Sequence, residues 1–517
     1  MLSFWDAALS LLAVIALRYI LNRVLGTQKL PLPPGPPSLP VIGHLFEVIG
    51  EAPWKHFALL AETYGDVMHL RTFGQDLIIV SSPEVTSELF EKRHEIYSDR
   101  PTSTMLNEIM GVGWIFALWD YGEPWRRARK LFYTHFSASA TRKYIPMSSH
   151  RTLSFMQKLR DDPQRFMVHC RHVVAFTELE MIYGLKIAGE NDEMLVAADN
   201  WLEGFNTAGQ PGRYLVDFIP ALKYLPKWLP GTGFKRRGEF WRLNAEKIRT
   251  DAFNRVKASL KTGTEIPCIA LTMLEDMRDE CIGGVQSDDV EVLVRDTCAT
   301  AYSAAIDSTT TVLQGFFLAM AMRPEVQKKA RRQLDAIIGQ SSLPTTDDRA
   351  SLPYIEAILK ETLRWKPLSP ISMPRRTSKD DVYRGYFIPK GSVVIPNSWK
   401  MLLDPHDYPE PEHFKPERFL RPDGSINPDV RDPKTMIFGY GRRVCPGADF
   451  ASRFIFHVMA CVLHTFDISP PLADDGTPVR MVPLMREQFA TSPEPFNCRI
   501  SVRSSVAASL IATADDT

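Results

Sequence analysis

Apolar residues recur every three to four positions through most of the chain, and proline-rich joints such as Pro220 to Pro230 separate the runs. This spacing places apolar side chains on one face of a helix. Two shorter runs, 67–73 and 76–81, flank Gly74-Gln75 and are predicted to form a small β-hairpin. We find no internal repeat, and the pattern indicates one large domain that is mainly α with small β-sheets, an α+β fold.

The longest predicted helix runs from about Ser287 to Met322. Asp288 and Asp289 stand at its N-terminal end, where acidic side chains are favourable, and Pro324 follows its last residue. At 1.5 Å per residue a helix of this length is roughly 50 Å long, so it must cross the whole domain. Its middle segment, 304–311, is therefore expected at the centre of the protein.

The N-terminal 25 residues are largely apolar, with no charge between Leu9 and Leu17. About 20 such residues span a bilayer, so residues 1–25 are predicted to be a membrane anchor. The basic residues that follow the apolar run favour a cytosolic location for the rest of the chain. An interfacial or buried amphipathic helix is the alternative. The proline-rich segment 26–40 is predicted to be an extended hinge and 41–517 a single domain.

Charge and cysteine content narrow the class of protein. The 61 basic and 61 acidic residues cancel, so no net field draws the chain to nucleic acid, and we expect no nucleic-acid partner. The seven cysteines are scattered, with no CxxC pair and no zinc-type spacing. This indicates a reducing compartment without a disulfide framework.

One cysteine stands in an unusual setting. Cys445 lies in the glycine-rich segment Phe438 to Gly447, directly before the apolar helical run Ala448 to Phe466. The positive end of a helix and nearby amides favour a thiolate, the form that binds metal. The glycines let the backbone approach a flat ligand, and Arg443 is placed to pair with an anionic group on it. An ordinary buried thiol among ordinary turns is the alternative. The glycines concerned are Gly439, Gly441 and Gly447.

This segment resembles the haem-binding signature of cytochromes P-450. The matching residues are Phe438, Gly441, Arg443, Cys445 and Gly447. The resemblance implies haem b as cofactor, with Cys445 as the axial thiolate ligand of the iron. It also implies the cytochrome P-450 fold, in which the long central helix crosses over the haem. Family elements occur in order over nearly the whole chain, in the manner of fungal microsomal members.

Further family elements surround this signature. The segment 360–364 matches the ExxR helix of the family, and the resemblance implies that Glu361, Arg364 and Arg418 form a buried structural triad near the haem. Additional matches imply that the haem propionates are bound by a tryptophan and two more arginines. These residues are Trp125, Arg129 and Arg375.

The central helix carries the candidate catalytic residues. The resemblance aligns Asp307 and Ser308, which Thr309 follows, with the acid and the alcohol that deliver protons to bound dioxygen. Ala305 stands where the family usually has glycine, and Ser308 where it usually has threonine. Serine lacks the methyl group that fixes the threonine rotamer, so looser proton delivery and weaker coupling of electron use to oxygenation are predicted.

Electrons must come from another protein, because the sequence contains no flavin or nicotinamide fingerprint. The resemblance implies an NADPH-cytochrome P-450 reductase as partner and dioxygen as co-substrate. An acidic flavoprotein surface is expected to contact a basic group of side chains near the haem. A merely solvated basic face is the alternative. The basic residues are Arg126, Arg127, Lys130 and Arg442.

The resemblance places the substrate pocket along the segments 101–121, 201–241, 368–373 and 484–490 and along the central helix. These segments are rich in apolar and aromatic residues and poor in charge, which suits a lipophilic small molecule. The candidate pocket residues are Met105, Trp114, Phe116, Phe205, Ile306, Ile371, Met485 and Phe489.

The predicted function is hydroxylation or multi-step oxidation of a hydrophobic secondary metabolite. A terpenoid is favoured over a polyketide, an indole or a fatty-acid-like compound. The anchor predicts the endoplasmic reticulum membrane, with the catalytic domain facing the cytosol. A reductase-independent haem-thiolate isomerase or dehydratase is the alternative, motivated by Ala305 and Ser308. A haem protein without turnover is disfavoured, because Asp307 and Ser308 retain an acid and an alcohol.

Overall fold

The computed structural model describes residues 30–187, 189, 192–280 and 287–512 of the 517-residue chain. The predicted membrane anchor at 1–25 and the first part of the predicted hinge lie outside these residues. Of the helices that are described, none is both long and apolar enough to cross a bilayer. The division of the chain into anchor, hinge and domain stays a prediction.

Helices form most of the structure, as the spacing of apolar positions predicts. Several begin with proline in the first turn, where its missing N–H costs no hydrogen bond. In chain order the α-helices are α1 (Leu45–Val48), α2 (Pro53–Tyr64), α3 (Pro83–Ser87), α4 (Glu123–Phe136), α5 (Ile145–Asp161), α6 (Phe166–Tyr183), α7 (Glu193–Ala208), α8 (Gly233–Thr262), α9 (Ile269–Glu280), α10 (Ser287–Met322), α11 (Pro324–Ile337), α12 (Pro353–Trp365), α13 (Ser398–Leu402), α14 (Lys434–Ile437), α15 (Ala448–Thr465) and α16 (Ser505–Ala512).

Helix α10 is the axis of the domain and has the bounds that the sequence predicts. It packs against α4, α6, α8, α9, α12 and α15 along its length. Leu313, Phe316 and Phe317 in its C-terminal half are completely buried. Because neighbours cover α10 on several sides, a polar side chain at its middle must be satisfied by other protein groups or by a ligand.

In the described part of the chain the strands are β1 (Val67–Thr72), β2 (Gln75–Val80), β3 (Arg375–Arg376), β4 (Asp381–Tyr383), β5 (Tyr386–Ile388), β6 (Val393–Pro396), β7 (Phe466–Ser469), β8 (Met485–Arg486), β9 (Ser492–Pro493) and β10 (Arg499–Val502). They form one four-stranded sheet, in the order β1-β2-β6-β3, and three two-stranded ribbons. Strand β2 pairs with β1 in antiparallel and with β6 in parallel orientation. The predicted hairpin is present, but its turn is Phe73-Gly74, with φ values of 48° and 85°. The turn was predicted one residue later, at Gly74-Gln75, because phenylalanine seldom adopts a positive φ and is not expected in such a turn.

The proline-rich segment that follows residue 30 is extended and lies on the domain. The carbonyl groups of Pro31 and Pro34 accept hydrogen bonds from the amides of Phe387 (2.7 Å) and His69 (2.9 Å). Prolines lack N–H groups but keep their carbonyl oxygens, so such a segment pairs only as an acceptor. Gly35 makes this approach possible, since a Cβ atom there would lie 2.1 Å from the carbonyl oxygen of His69.

We predict that Gly35→Ala separates the proline segment from β1 and destabilises the protein by about 1–3 kcal/mol, because backbone atoms cannot yield to the added methyl group. The measurement is the apparent unfolding temperature. Gly233→Ala is the control, because nothing lies within 4 Å of its added Cβ atom. Equal unfolding temperatures for the two variants would contradict the packed position of the segment.

Candidate active site

A cavity of about 380 Å³ lies at the centre of the domain, along one face of α10. Its wall on this helix repeats every four residues, as expected for one helical face. The loop 438–447 and Phe450 of α15 form part of the remaining wall, together with residues of α4 and α7. The residues of the α10 face are Thr300, Ala301, Ser303, Ala304, Ala305, Asp307, Ser308, Thr309 and Val312.

Cys445 lies at the cavity wall directly before α15, with its side chain exposed to the cavity. Its amide donates a hydrogen bond to the carbonyl oxygen of Phe438 (2.7 Å), which closes the loop. Burial by the surrounding protein raises the pKa of the Cys445 thiol, although the Gly447 amide and the charge of Arg129 act to lower it. The protein alone therefore favours the thiol over the predicted thiolate, and a bound metal cation would reverse this preference.

The glycines of this loop were predicted to let the backbone approach a flat ligand, but the structure shows a different reason for one of them. Gly441 has a φ of 51°, and a Cβ atom there would lie 2.2 Å from the carbonyl oxygen of Phe90. Its close neighbour is thus backbone and not a flat ligand. Gly439 has a φ of 81° and lines the cavity, as does Gly447, where nothing lies within 4 Å of an added Cβ atom. Only these two retain the predicted position beside a ligand.

Four arginine side chains converge on the cavity, and none forms an ion pair with any residue in the described part of the chain. Burial lowers the pKa of each guanidinium group. Arg443 lies over the Trp125 ring (4.3 Å) and donates hydrogen bonds to the carbonyl oxygens of Ser98 and Trp119. Its Nη1 atom is buried without a hydrogen-bond partner among the described residues. The four residues are Arg100, Arg129, Arg375 and Arg443.

This constellation fits haem. Several buried cations without carboxylate partners are unfavourable until an anion compensates them, and the two haem propionates supply that charge. Cys445 supplies the thiolate that haem iron accepts. Sequence reasoning predicted three of the four arginines and missed Arg100. Its only signal in the sequence is a position directly before the predicted pocket segment 101–121.

The predicted structural triad is brought together in the core. Arg364 forms two hydrogen bonds to the carboxylate of Glu361 (2.7 and 2.8 Å), and both side chains are completely buried. Arg418 donates to the same carboxylate (3.2 Å), as does the amide of Lys415 (2.8 Å). The guanidinium of Arg364 also reaches the carbonyl oxygen of Leu402. This network joins α12 to the segments that precede the Cys445 loop.

The candidate catalytic residues lie on the cavity face of α10. Asp307 accepts a hydrogen bond from the Asn206 amide group of α7 (2.9 Å), and burial raises the pKa of its carboxyl group. Ser308 donates to the carbonyl oxygen of Ala304 (2.8 Å), one turn earlier. Thr309 also lines the cavity. Sequence reasoning missed Asn206, which carries no motif and is positioned only by the packing of α7 on α10.

The predicted substrate pocket is only partly at the cavity. Phe116, Phe205 and Phe489 line it, with Phe132, Phe136 and Trp201 as further aromatic wall. Five predicted residues lie elsewhere. Ile306 faces the core between the cavity positions 305 and 307, and Met105 packs against Gly238 of α8. Trp114 is in the main core, Ile371 is in the core beside the sheet, and Met485 borders a separate small cavity near Thr311. Apolar character alone does not distinguish such core positions from pocket positions.

A buried acid of α6 reaches the same cavity. Glu178 is 5% exposed, and its carboxyl group has neither a hydrogen-bond nor an ion-pair partner among the residues whose structure is described. Burial raises its pKa from 4.5 to about 8. An uncompensated carboxyl group in an apolar wall is unusual, because such a group normally has a partner.

Comparisons with known proteins agree with this geometry. The sequence model of the cytochrome P450 family matches residues 33–498. The chain is 39% identical to cytochrome P450 monooxygenase COX2 of Coprinopsis cinerea over 91% of its own length and 89% of the relative's. It is 37% identical to cytochrome P450 monooxygenase COX1 of the same fungus, over 95% of both chains. Tryptamine 4-monooxygenase of Psilocybe cyanescens is 37% identical over 91% of this chain and 93% of the relative.

We predict that Arg364→Leu destabilises the protein by about 3–5 kcal/mol, because it leaves the buried Glu361 charge without its main partner. The expected result is a large fall in unfolding temperature and in bound haem per protein, measured by thermal unfolding and absorbance. Arg421→Leu is the control, since its contact with Asp429 lies at the surface and is worth less than about 1 kcal/mol. Equal stability of the two variants would contradict the role of the network.

We also predict a pH-dependent effect of Glu178→Gln. Below about pH 4.5 the Glu178 carboxyl is neutral in both folded and unfolded protein. Between its ordinary pKa of 4.5 and its folded pKa of about 8, the Glu178 carboxyl ionises readily only in the unfolded chain. The free energy of unfolding therefore falls as pH rises through this range, and the fall is complete above pH 8. Glutamine cannot ionise, so the unfolding temperature of the variant should rise relative to the unmodified protein from pH 5 to pH 8.

The control for this measurement is Glu180→Gln on the same helix, whose carboxylate accepts a hydrogen bond from Arg151 (2.6 Å). It should show no such gain across the pH range. A difference between Glu178→Gln and the unmodified protein that does not change with pH would contradict the burial of an unpaired carboxyl group.

Proposed function

The chain belongs to the cytochrome P450 family and is a haem-thiolate monooxygenase, and we propose that it oxidises a lipophilic secondary metabolite with electrons from an NADPH-dependent reductase. The observation that carries this proposal is the position of Cys445 in one cavity with the acid and the alcohol of α10. A terpenoid is the proposed scaffold. The apolar and aromatic wall supports a hydrophobic substrate, and the relative named for tryptamine keeps an indole as the alternative.

The chain contributes binding, orientation and proton supply. Cys445 is the residue to hold the iron, and the four cavity arginines are the residues to hold the propionates. Bound haem with a thiolate ligand supplies the activation of dioxygen. Burial raises the pKa of the Asp307 carboxyl group, which makes it a better proton carrier than an exposed aspartate. Ser308 offers a hydroxyl group at the cavity wall one residue further on, and the apolar wall excludes bulk water.

A reductase partner is supported by the surface next to the Cys445 loop. Arg127, Lys130 and Arg442 are exposed there, and Arg126 is exposed beside its ion-pair partner Glu123 (3.0 Å). Exposed positive charge next to the haem loop suits a transient complex with an acidic flavoprotein.

A location at the endoplasmic reticulum membrane, with the domain on the cytosolic side, is supported by exposed apolar side chains. Tyr224 and Trp228 are 79% and 80% exposed, and Phe46 is 65% exposed. The segment that leads to Tyr224 and Trp228 begins beside the helix of Phe46, because a Cβ atom on Gly212 would lie 2.8 Å from the side chain of Ile49. An exposed apolar surface of this kind marks a contact with a membrane or a protein.

The test is expression in a host that also makes a cognate reductase, with growth under labelled dioxygen and mass spectrometry of the metabolites. Cys445→Ala is the control. We expect a product that contains one labelled oxygen atom and is absent from the control. A product that depends on Cys445 but carries no label would replace monooxygenation with isomerisation or dehydration.

We predict that Ser308→Thr increases the product formed per NADPH consumed, because the added methyl group restricts the rotamer of the hydroxyl group. A positioned proton donor contributes roughly 100-fold or more, and better positioning should recover a small part of this, roughly two- to tenfold. Thr310→Ser, the reverse change at a hydroxyl outside the cavity, is the control and should leave the ratio unchanged. An unchanged ratio in Ser308→Thr would show that Ser308 does not limit coupling.

A further inference from the structure

The cavity extends well beyond the haem side of the site. On α10 its wall runs from Thr300 to Val312, which is about 18 Å of helix. Besides α10, the wall includes Trp201 and Leu202 of α7 and Glu178 of α6. Three helices thus enclose a part of the cavity in which Glu178 is an acidic wall residue.

Glu178 is held at this place by the packing of α6 on α10. Phe166 at the start of α6 contacts Phe317 (5.3 Å between ring centroids), and Tyr183 at its end contacts Tyr302 (6.3 Å). The two helices therefore run antiparallel, and Glu178 is fixed between these contacts. The hydroxyl groups of Thr300 and Ser303, which line the same cavity, donate to the carbonyl oxygens of Asp296 and Thr300 on their own helix. The Glu178 carboxyl receives no hydrogen bond from either.

We propose that Glu178 binds an oxygen atom of the substrate, an alcohol or a ketone, and so positions a lipophilic molecule that is already oxygenated. The proposal rests on the proposed function, because it assigns a substrate group to the same cavity. It deepens that function by naming the chemical class of the substrate: a hydrophobic skeleton that already carries one polar oxygen.

The protonation state of Glu178 favours oxygen over an amine. Its pKa of about 8 leaves the carboxyl group mostly neutral at pH 7, so it offers one O–H donor and one acceptor. An alcohol satisfies both, and a ketone satisfies the donor. An ammonium group would require an ionised carboxylate and the desolvation of two charges in an apolar wall. A site that hydrogen-bonds a substrate oxygen also rejects analogues that lack it.

The class of reaction that supplies this substrate follows from the same chemistry. On the proposed terpenoid scaffold, whose parent is a hydrocarbon, an alcohol or a ketone is introduced by an oxidation or a hydration. The enzyme would therefore act on an intermediate and not on the parent hydrocarbon.

The test uses the haem-loaded protein and four bicyclic probes of matched shape: trans-decalin, trans-2-decalol, trans-2-decalone and trans-2-aminodecalin. Binding is followed by the shift of the haem absorption band, and direct coordination of the amine to iron is recognised by a shift in the opposite direction. We expect the alcohol and the ketone to bind at least about tenfold more tightly than decalin. This corresponds to one well-formed hydrogen bond of about 1.4 kcal/mol.

Three variants test whether Glu178 causes the tighter binding of the alcohol and the ketone. Glu178→Leu should reduce the ratio of affinities to about one, whereas Glu178→Gln, which keeps an N–H donor and an acceptor, should keep most of it. Glu180→Gln, an acid on α6 that pairs with Arg151, should leave the ratio unchanged. The haem content of each variant shows whether it has folded.

Several results would overturn the proposal. One is equal affinity of all four probes for the unmodified protein. Another is a preference for the alcohol and the ketone that survives in Glu178→Leu. A third is tighter binding of the amine than of the alcohol without coordination of the amine to iron. A loss of product per NADPH in Glu178→Gln with unchanged probe affinities would assign Glu178 to proton delivery instead. Because the probe titrations need no turnover, their failure is distinct from failure of the proposed function, which would appear as loss of the labelled product.

Discussion

Burying a guanidinium group away from water is costly unless an anion compensates it, and four such groups surround one end of the central cavity. The neighbouring protein satisfies them only in part, through backbone carbonyl oxygens such as those of Met373 and Tyr440. The cavity is therefore built for a ligand that carries negative charge at this end. A flat macrocycle with two propionates and an iron atom that accepts the Cys445 thiolate meets this demand.

A second group of buried arginines has the opposite arrangement. Arg364 and Arg418 share the carboxylate of Glu361, and backbone carbonyl oxygens take the remaining N–H groups. These charges are compensated within the protein, so they need no ligand. They fix the position of α12 relative to the chain segments around Leu402 and Lys415. A buried network of this kind specifies geometry more than it adds stability.

The cavity itself contains two acids with different partners. Asp307 is held by Asn206, whereas the part of the structure that is described offers Glu178 no partner. Burial raises the pKa of both carboxyl groups, and that of Glu178 reaches about 8. Their difference lies in geometry: Asp307 is on α10 directly before Ser308, whereas Glu178 reaches the cavity from α6. This separates a group that supplies protons from a group that recognises substrate.

The sequence alone determined the helical class, the bounds of α10, the hairpin and the residues of the Cys445 loop, because these depend on local spacing and on residues close together in the chain. It also identified Glu361, Arg364 and Arg418, although their contact spans more than 50 residues, because each belongs to a recognisable motif. Only the tertiary structure decided that Arg100, Asn206 and Glu178 reach the cavity and that Ile306 and Ile371 do not. Membership of a pocket wall depends on which face of each helix meets its neighbours, and an apolar residue has the same local pattern whether it packs in the core or lines a cavity.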